Sequence, residues 1–436
     1  MKKKGNVMQK EKKGLWLIIS IIFFYGKMVY GEAIYTLTFD NSTLTPLKRE
    51  IKVEGKEGVS GSIEISDSVK LVKGLKGLGI YLDNRSEYVS LPDDVYVNPE
   101  EGAISFWFRP FWGSGDKRNK IILSVNFDKG CLLLWNMLFC VKDRYDNWSY
   151  PPKEAIPSIS RWKPGEWHFI VLNWSASAGR RDIVVDGGIL RSMPYVPPEG
   201  KSKISLSPGY KDISDRVPGC GVYDELVIYD APLSKEEIEK KYSEGMEILK
   251  DVSPDCKLEV LTYPNLASEA SLHFSITPNY ENNGLSCNNF DDKTEDINDL
   301  SDSLWFLAHY SDKRSVGWMS IPVTTLTYDL KGIKNIEYIV INIGGGDSGV
   351  RFPKEINFYA GITEEKLSKV GLVCTEEPYP NPEFLKWHSK LVGTGNINVF
   401  ARFVKIEIVP SCFCDEIFII EKNAKPFFKS IEIEAE

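Results

Sequence analysis

The sequence predicts an all-β protein of two antiparallel β-sandwiches in series, with one short helix closing the first. Three observations predict it. From Ala33 onward, short runs alternating apolar and polar residues recur, among them AIYTLTF, AISFWFRP, IILSVNF and WHFIVLNW, each the length of one half-buried strand. Gly, Pro, Asn and Asp punctuate these runs and supply the backbone conformations of tight turns. Helical spacing is nearly absent, and at 436 residues the chain exceeds what one hydrophobic core usually serves.

The elements follow in order. Residues 1–32 read as a signal peptide: a basic leader, the apolar stretch LWLIISIIFFY (Leu15 to Tyr25), then small residues suited to cleavage. That stretch is short for a membrane span, so export to the cell envelope or beyond is expected, with no span left after cleavage. Residues 33–249 hold the first sandwich. In IVVDGGIL, Asp186-Gly187-Gly188 marks a tight hairpin turn, because Gly tolerates the positive φ such turns demand. Ser234 caps the helix, Glu237 completes a capping box three residues later, and the helix runs to about Leu249. Residues 250–257 are polar and Pro-interrupted, a linker. Residues 258–422 repeat the strand pattern with longer polar loops, and 423–436 form a tail.

Within GVYDELVIY (Gly221 to Tyr229), strict alternation puts Val222, Asp224, Leu226 and Ile228 on one face and Tyr223, Glu225, Val227 and Tyr229 on the other. One carboxylate then points into apolar surroundings, where it needs amide donors or a cation. Asp224 is thus either a clamp on backbone amides or a metal ligand. Eight cysteines, an even number, agree with an oxidising destination. A two-residue turn at Trp135-Asn136 would set Cys131 opposite Cys140, close enough to bridge; reduced, buried thiols are the alternative.

The first segment resembles the laminin-G-like, concanavalin A-type jelly roll. The resemblance rests on AISFWFRPFW (Ala103 to Trp112), KPGEWHFIVLNWS (Lys163 to Ser175), IVVDGGIL (Ile183 to Leu190) and the closing GVYDELVIYDAPLSKEEIEKKY. It implies a non-catalytic binding module of secreted proteins, some members of which carry calcium; the positions this reaches are Asp40 and Asp224. The second segment resembles the galactose-binding-like, discoidin-type jelly roll through NNFDD, GWMSIPVTTLTYDL, GVRFPKEINFYAG and ARFVKIEIVPSCFCDEIFII. There the resemblance implies a structural Ca2+ held by Asp291 and Glu416, with Asp292 where the family commonly has Gly. The acidic run from Asp291 to Asp302 reads equally as a solvated loop. Both sandwiches are accordingly expected to be jelly rolls.

Sugar recognition needs aromatic faces and planar polar groups. Trp305, His309, Arg314 and Trp318 cluster in LWFLAHYSDKRSVGW, and Trp387 lies in another loop; together they are the candidate ligand-binding residues, with core packing the alternative for Trp305 and Trp318. Trp112, Trp148 and Tyr150 offer a second cleft. Trp107, Trp167 and Trp174 read as core, and His168 as a strand histidine satisfied by its neighbours.

Net charge −8, from 61 acidic and 53 basic residues, supplies no footprint for nucleic acid. No Glu-x-Asp pair of the laminarinase type occurs, GDSGV lacks the context of a serine protease, and four scattered histidines give no zinc spacing. The reading is therefore an exported, non-catalytic two-module protein that binds polysaccharide or glycan. The alternatives are an adhesive envelope protein that binds other proteins, and a glycoside hydrolase with unfamiliar catalytic residues.

Overall fold

The computed structural model describes residues 32–37, 39–40, 43–45, 47–55, 60–64, 69–82, 89–93, 95–112, 119–135, 138–150, 162–206, 216–250, 257–276, 300, 316–318, 321–346, 350–375, 388–410 and 413–433. The expected signal segment, residues 1–32, lies outside them apart from Glu32. Among the described residues no helix is long and apolar enough to cross a membrane. The chain is all-β, as the alternation predicts, with antiparallel sheets in jelly-roll-like sandwiches and one α-helix.

The first sandwich packs a 13-stranded sheet against a 7-stranded one. At the centre of the larger sheet runs the closing strand, Gly221–Tyr229. On one side it pairs with Glu101–Pro110; on the other it pairs first with Leu78–Leu82 and then with Ala33–Leu37. Beyond Glu101–Pro110 follow His168–Ser175, Arg180–Val185 and Gly188–Pro194. The smaller sheet is built on Asn119–Lys129, flanked by Glu199–Leu206 on one side and by Cys131–Trp135, Leu138–Lys142 and Trp148–Ser149 on the other. Arg216–Pro218 joins it in parallel. Phe106, Phe108, Leu134, Phe139, Trp174, Ile204 and Tyr223 fill the space between the layers.

The Asp186-Gly187 turn has φ of 51° and 77°, the pair of left-handed residues that a two-residue hairpin needs to match strand twist. The helix Lys235–Leu249 carries both halves of the Ser234/Glu237 capping box. It lies on the outer face of the large sheet, where Leu233 and Ile238 pack with Trp107, Phe169 and Tyr229. Gly245 lets it sit that close, since a Cβ there would lie 2.0 Å from the Trp107 ring.

The second sandwich depends on one 22-residue strand, Thr324–Gly345, the hub of its 8-stranded sheet. Its first part pairs with Ser271–Phe274 and Val399–Val409, its last part with Phe413–Glu421 and His388–Gly393. Lys331, at φ 59°, lies in the register break between Asp329 and Lys334 along the pairing with Val399–Val409. Leu326, Tyr328, Ile339, Ile341, Ile406 and Ile417 form the core of this sandwich.

Three sequence expectations are corrected. Strict alternation fails in the closing strand: Asp224 pairs with Trp107 but Val227 with Ser105, so three steps face two, and Glu225 takes φ 49°. This bulge inverts the phase. Tyr223, Leu226 and Ile228 face the sandwich core, whereas Val222, Val227 and Tyr229 face outward beneath other elements. The cysteine hairpin turns one residue later than expected. Trp135 pairs with Leu138, Leu133 with Cys140, and Cys131 with Lys142, so the two cysteines do not face each other, and both are buried. The expected tail contains a strand, Phe427–Glu432, paired with Lys257–Thr262, which touches Lys70–Lys73 through Val260 and Val72. Leu258, Val260 and Ile431 thereby pack with Tyr81, Phe111 and Val222 of the first sandwich.

Leu258 is fully buried in that shared cluster, so Leu258→Ala is expected to cost about 2–5 kcal/mol. The loss should appear in denaturant unfolding followed by a probe of the first sandwich, although Leu258 lies beyond the linker.

Candidate functional site

Asp224 and Asp40 converge on one loop. Asp224 has no exposed surface; its Oδ2 accepts from the Lys76 amide at 3.0 Å and its Oδ1 from the Glu225 amide at 2.7 Å. Asp40 accepts from the Leu78 amide at 2.8 Å. The loop needs glycine at two places: a Cβ on Gly74 would lie 2.4 Å from Asp224 Oδ2, and one on Gly77, itself at φ 64°, would lie 1.8 Å from Asp40 Oδ1. Burial pushes the Asp224 carboxyl up to about 8, with the Lys76 amide opposing and the charges of Glu225 and Asp40 adding to the rise. Burial also raises Glu225, against the pull of Lys76, and Glu225 Oε1 is buried without a hydrogen-bond partner. Hard oxygens crowded by like charge suit a divalent cation. Among the described residues, however, no group of three or more His, Cys, Asp or Glu is placed to hold one.

A second constellation lies at the edge of the smaller sheet. Trp148 and Tyr150 stack at 5.3 Å and 15°, and Trp135 meets Tyr150 edge-on at 6.2 Å. Tyr150 is 48% exposed and Tyr145 72% exposed. The intervening turn is organised by Asp143, whose Oδ1 accepts from the amides of Tyr145 and Asn147 at 2.8 and 3.0 Å. Asp146 closes the turn at φ 70°. Behind the wall sits Arg181, 1% exposed, whose guanidinium donates to the carbonyls of Phe139, Ser149 and Pro194 and to the Ser149 hydroxyl. Burial lowers its pKa to about 10, and these acceptors hold the short edge strand in register. Trp148 and Tyr150 were legible as candidates, but Arg181 was not, because its role needs three strands that are distant in sequence.

The other candidates fall differently. Trp305, His309, Arg314, Trp387 and Asp291 lie outside the described residues. Trp318 is corrected from a ligand-facing residue to a core residue: it is 2% exposed, its indole N–H donates to the Ile276 carbonyl at 2.8 Å, and its ring tilts against Phe274. Glu416 is fully buried and accepts from the Asn265 amide at 3.3 Å. Trp112 is also buried, its N–H donating to the Gly219 carbonyl, so it does not join the wall formed by Trp148 and Tyr150.

Residues 83–239 match the concanavalin A-like lectin/glucanases superfamily. The match lies within the first sandwich and covers less than half of the chain. Among curated proteins none matches the sequence. Similar solved structures include domain 4 of AbnA, a GH43 extracellular arabinanase from Geobacillus stearothermophilus, in complex with arabinotriose; identity is 14%, coverage 48% of this chain and 98% of that one, TM-score 0.37. The binding domain of Paraclostridial Mosquitocidal Protein 1 follows at 16% identity, 56% and 60% coverage and TM-score 0.37. The botulinum neurotoxin type G receptor binding domain stands at 14% identity, 49% and 51% coverage and TM-score 0.36. The chain thus spans about half to three fifths of the two toxin domains, and likenesses this distant carry no argument about function.

The raised Asp224 sets a pH dependence. The folded protein keeps this proton to about pH 8, whereas the unfolded chain releases it near the ordinary value of 3.8, so folding takes up a proton between those limits. This group's stabilisation is fully present below about pH 4 and is lost as pH rises to about 8, by up to about 5 kcal/mol. Denaturant unfolding across that range is expected to show the decline, and Asp224→Asn to flatten it.

Proposed function

We propose that the protein is a non-catalytic carbohydrate-binding module pair, exported to the cell envelope or beyond, with its principal reading surface on the first sandwich at Trp148, Tyr150 and Trp135. The observation that supports this is the stacked, partly exposed aromatic pair held on a rigid edge beside polar groups. Pyranose rings present apolar C–H faces that pack on aromatic rings, while hydroxyls around their rim take hydrogen bonds. Here Asn147 and Ser149 are exposed next to the rings, and Asp143 and Arg144 are half-buried beside them. Binding to a preformed wall orders few side chains, which limits the entropic cost.

In the same reading the second sandwich is a galactose-binding-like module that contributes spacing or a further contact. A second reading, attachment to a protein partner, has one observation of its own. Phe427–Glu432 ends the path of the 13-stranded sheet, with Phe427 and Phe428 more than 40% exposed, and such an edge can accept another strand.

Calcium belongs to this proposal as a structural ion at Asp40 and Asp224, supported by the mutual repulsion of the carboxyls there. Millimolar calcium is expected to raise the thermal midpoint at pH 8 and chelator to reverse it; a midpoint indifferent to both removes calcium from the reading.

Affinity electrophoresis against a panel of polysaccharides tests the main proposal. At least one should retard the protein, and Trp148→Ala or Tyr150→Ala should weaken that retention by about 3- to 10-fold each, from roughly 0.5–1.5 kcal/mol per ring. If none retards the protein, or both variants bind as the parent does, the aromatic wall is not the reader. Capture of an envelope protein that sugars do not compete would favour the second reading.

A further inference from the structure

A cavity of about 230 Å³ opens on the opposite side of the first sandwich from the aromatic wall, between the helix and the outer face of the 13-stranded sheet. Three segments line it: Gly165, Glu166 and Trp167 before the His168–Ser175 strand, Asp186 in the hairpin turn, and Tyr242, Met246 and Leu249 on the helix. Its charged lining is anionic, Glu166 and Asp186, with no lysine or arginine among the lining residues. Lys163 reaches Glu166 from the solvent side at 3.6 Å, but it is 78% exposed and stands outside the cavity.

His168 also lines the cavity, and its side chain is 9% exposed. Its Nδ1 lies 2.9 Å from Asp186 Oδ2, and its ring stacks on Trp162 at 3.9 Å and 8°. Asp186 thus fixes the ring from its Nδ1 side. The ring's Nε2 is buried and has no hydrogen-bond partner. Asp186 is fixed in turn, since its other oxygen accepts from the Phe169 amide at 2.9 Å. The wall therefore offers two carboxylates, both acceptors.

Trp167 and Tyr242 supply aromatic surface. Tyr242 is pinned by its stack on Trp107 at 6.1 Å and by Gly187, where a Cβ would lie 3.3 Å from the Tyr242 ring. Carboxylates with aromatic faces attract a cation through both Coulomb and quadrupole terms, while Met246 and Leu249 suit an apolar stem. An anion would meet like charge here, and an uncharged hydroxyl compound would bring donors but no charge to the carboxylates, whereas an ammonium brings three donors and a positive charge.

We propose that this cavity is a binding site for a protonated primary amine. Two sources share that chemistry, the amino group of a deacetylated amino sugar and the side chain of a lysine. The inference stands apart from the aromatic wall, because the two sites share no residue.

Isothermal calorimetry on the full chain at pH 7 tests it with four probes: glucosamine, N-acetylglucosamine, Nα-acetyl-lysine amide and its Nε-acetylated form. A free amine is expected to bind saturably, and its acetylated counterpart at least about tenfold more weakly, the scale of one charge-assisted hydrogen bond. Glucosamine alone points to a glycan source and the lysine amide alone to a protein source. Glu166→Gln should weaken binding several-fold. Met246→Arg, on the exposed helix face, should abolish it by placing a guanidinium at the mouth, while neither variant should disturb retention at Trp148 and Tyr150. Absence of binding by both amines, equal binding of the acetylated forms, or indifference to both substitutions would overturn the assignment.

Discussion

The first sandwich depends on how its central strand tolerates a buried carboxylate. Gly221–Tyr229 contacts three strands of the large sheet, so its phase decides which side chains reach the core. Asp224 is fully buried, and amides from Lys76 and Glu225 donate to its two carboxyl oxygens. The bulge at Glu225 lets the strand present Tyr223 to the core before the clamp and Leu226 and Ile228 after it. Without the extra residue, one half of the strand would turn its apolar side chains outward. The neighbouring loop is shaped to the carboxylates as well, since only glycine fits at positions 74 and 77.

The aromatic wall and the cavity beside the helix occupy different layers of this scaffold. The aromatic wall sits on the edge of the smaller sheet, held from behind by Arg181. A buried guanidinium with its donors satisfied by carbonyls is a stiff bracket, and its removal would leave several carbonyls unpaired. The cavity sits on the outer face of the larger sheet, where the capped helix forms one wall and the Asp186 turn another. Each surface is therefore assembled from elements whose positions the core already fixes, which is what preorganised binding requires.

Much of this was legible in the residues. Alternation located the strands, Ser234 and Glu237 located the helix start, and Asp186-Gly187 located a hairpin, because each signal is local and tied to a definite backbone geometry. The clamp at Asp224 was half legible: a carboxylate in an apolar strand demands donors, but the Lys76 amide that answers it is 148 positions away. The bulge was invisible, since nothing in VYDELV marks which residue will leave the pleat. Trp318 was misread because an aromatic in a polar stretch looks exposed until its N–H is seen on the Ile276 carbonyl. His168 was half satisfied, one nitrogen on Asp186 and the other unmet, a distinction that needs coordinates.

The pairing of Phe427–Glu432 with Lys257–Thr262 has a mechanical meaning. The second sandwich is spliced between two adjacent strands of a ribbon that completes the first, so it leaves and returns at one place. A module hung on a single linker swivels freely; this one is fastened by both of its ends and also packs Val340, Phe418 and Ile420 with Leu47. Any ligand bridging the two modules would then meet a joint with few degrees of freedom, and torsion applied to one module would be transmitted to the other.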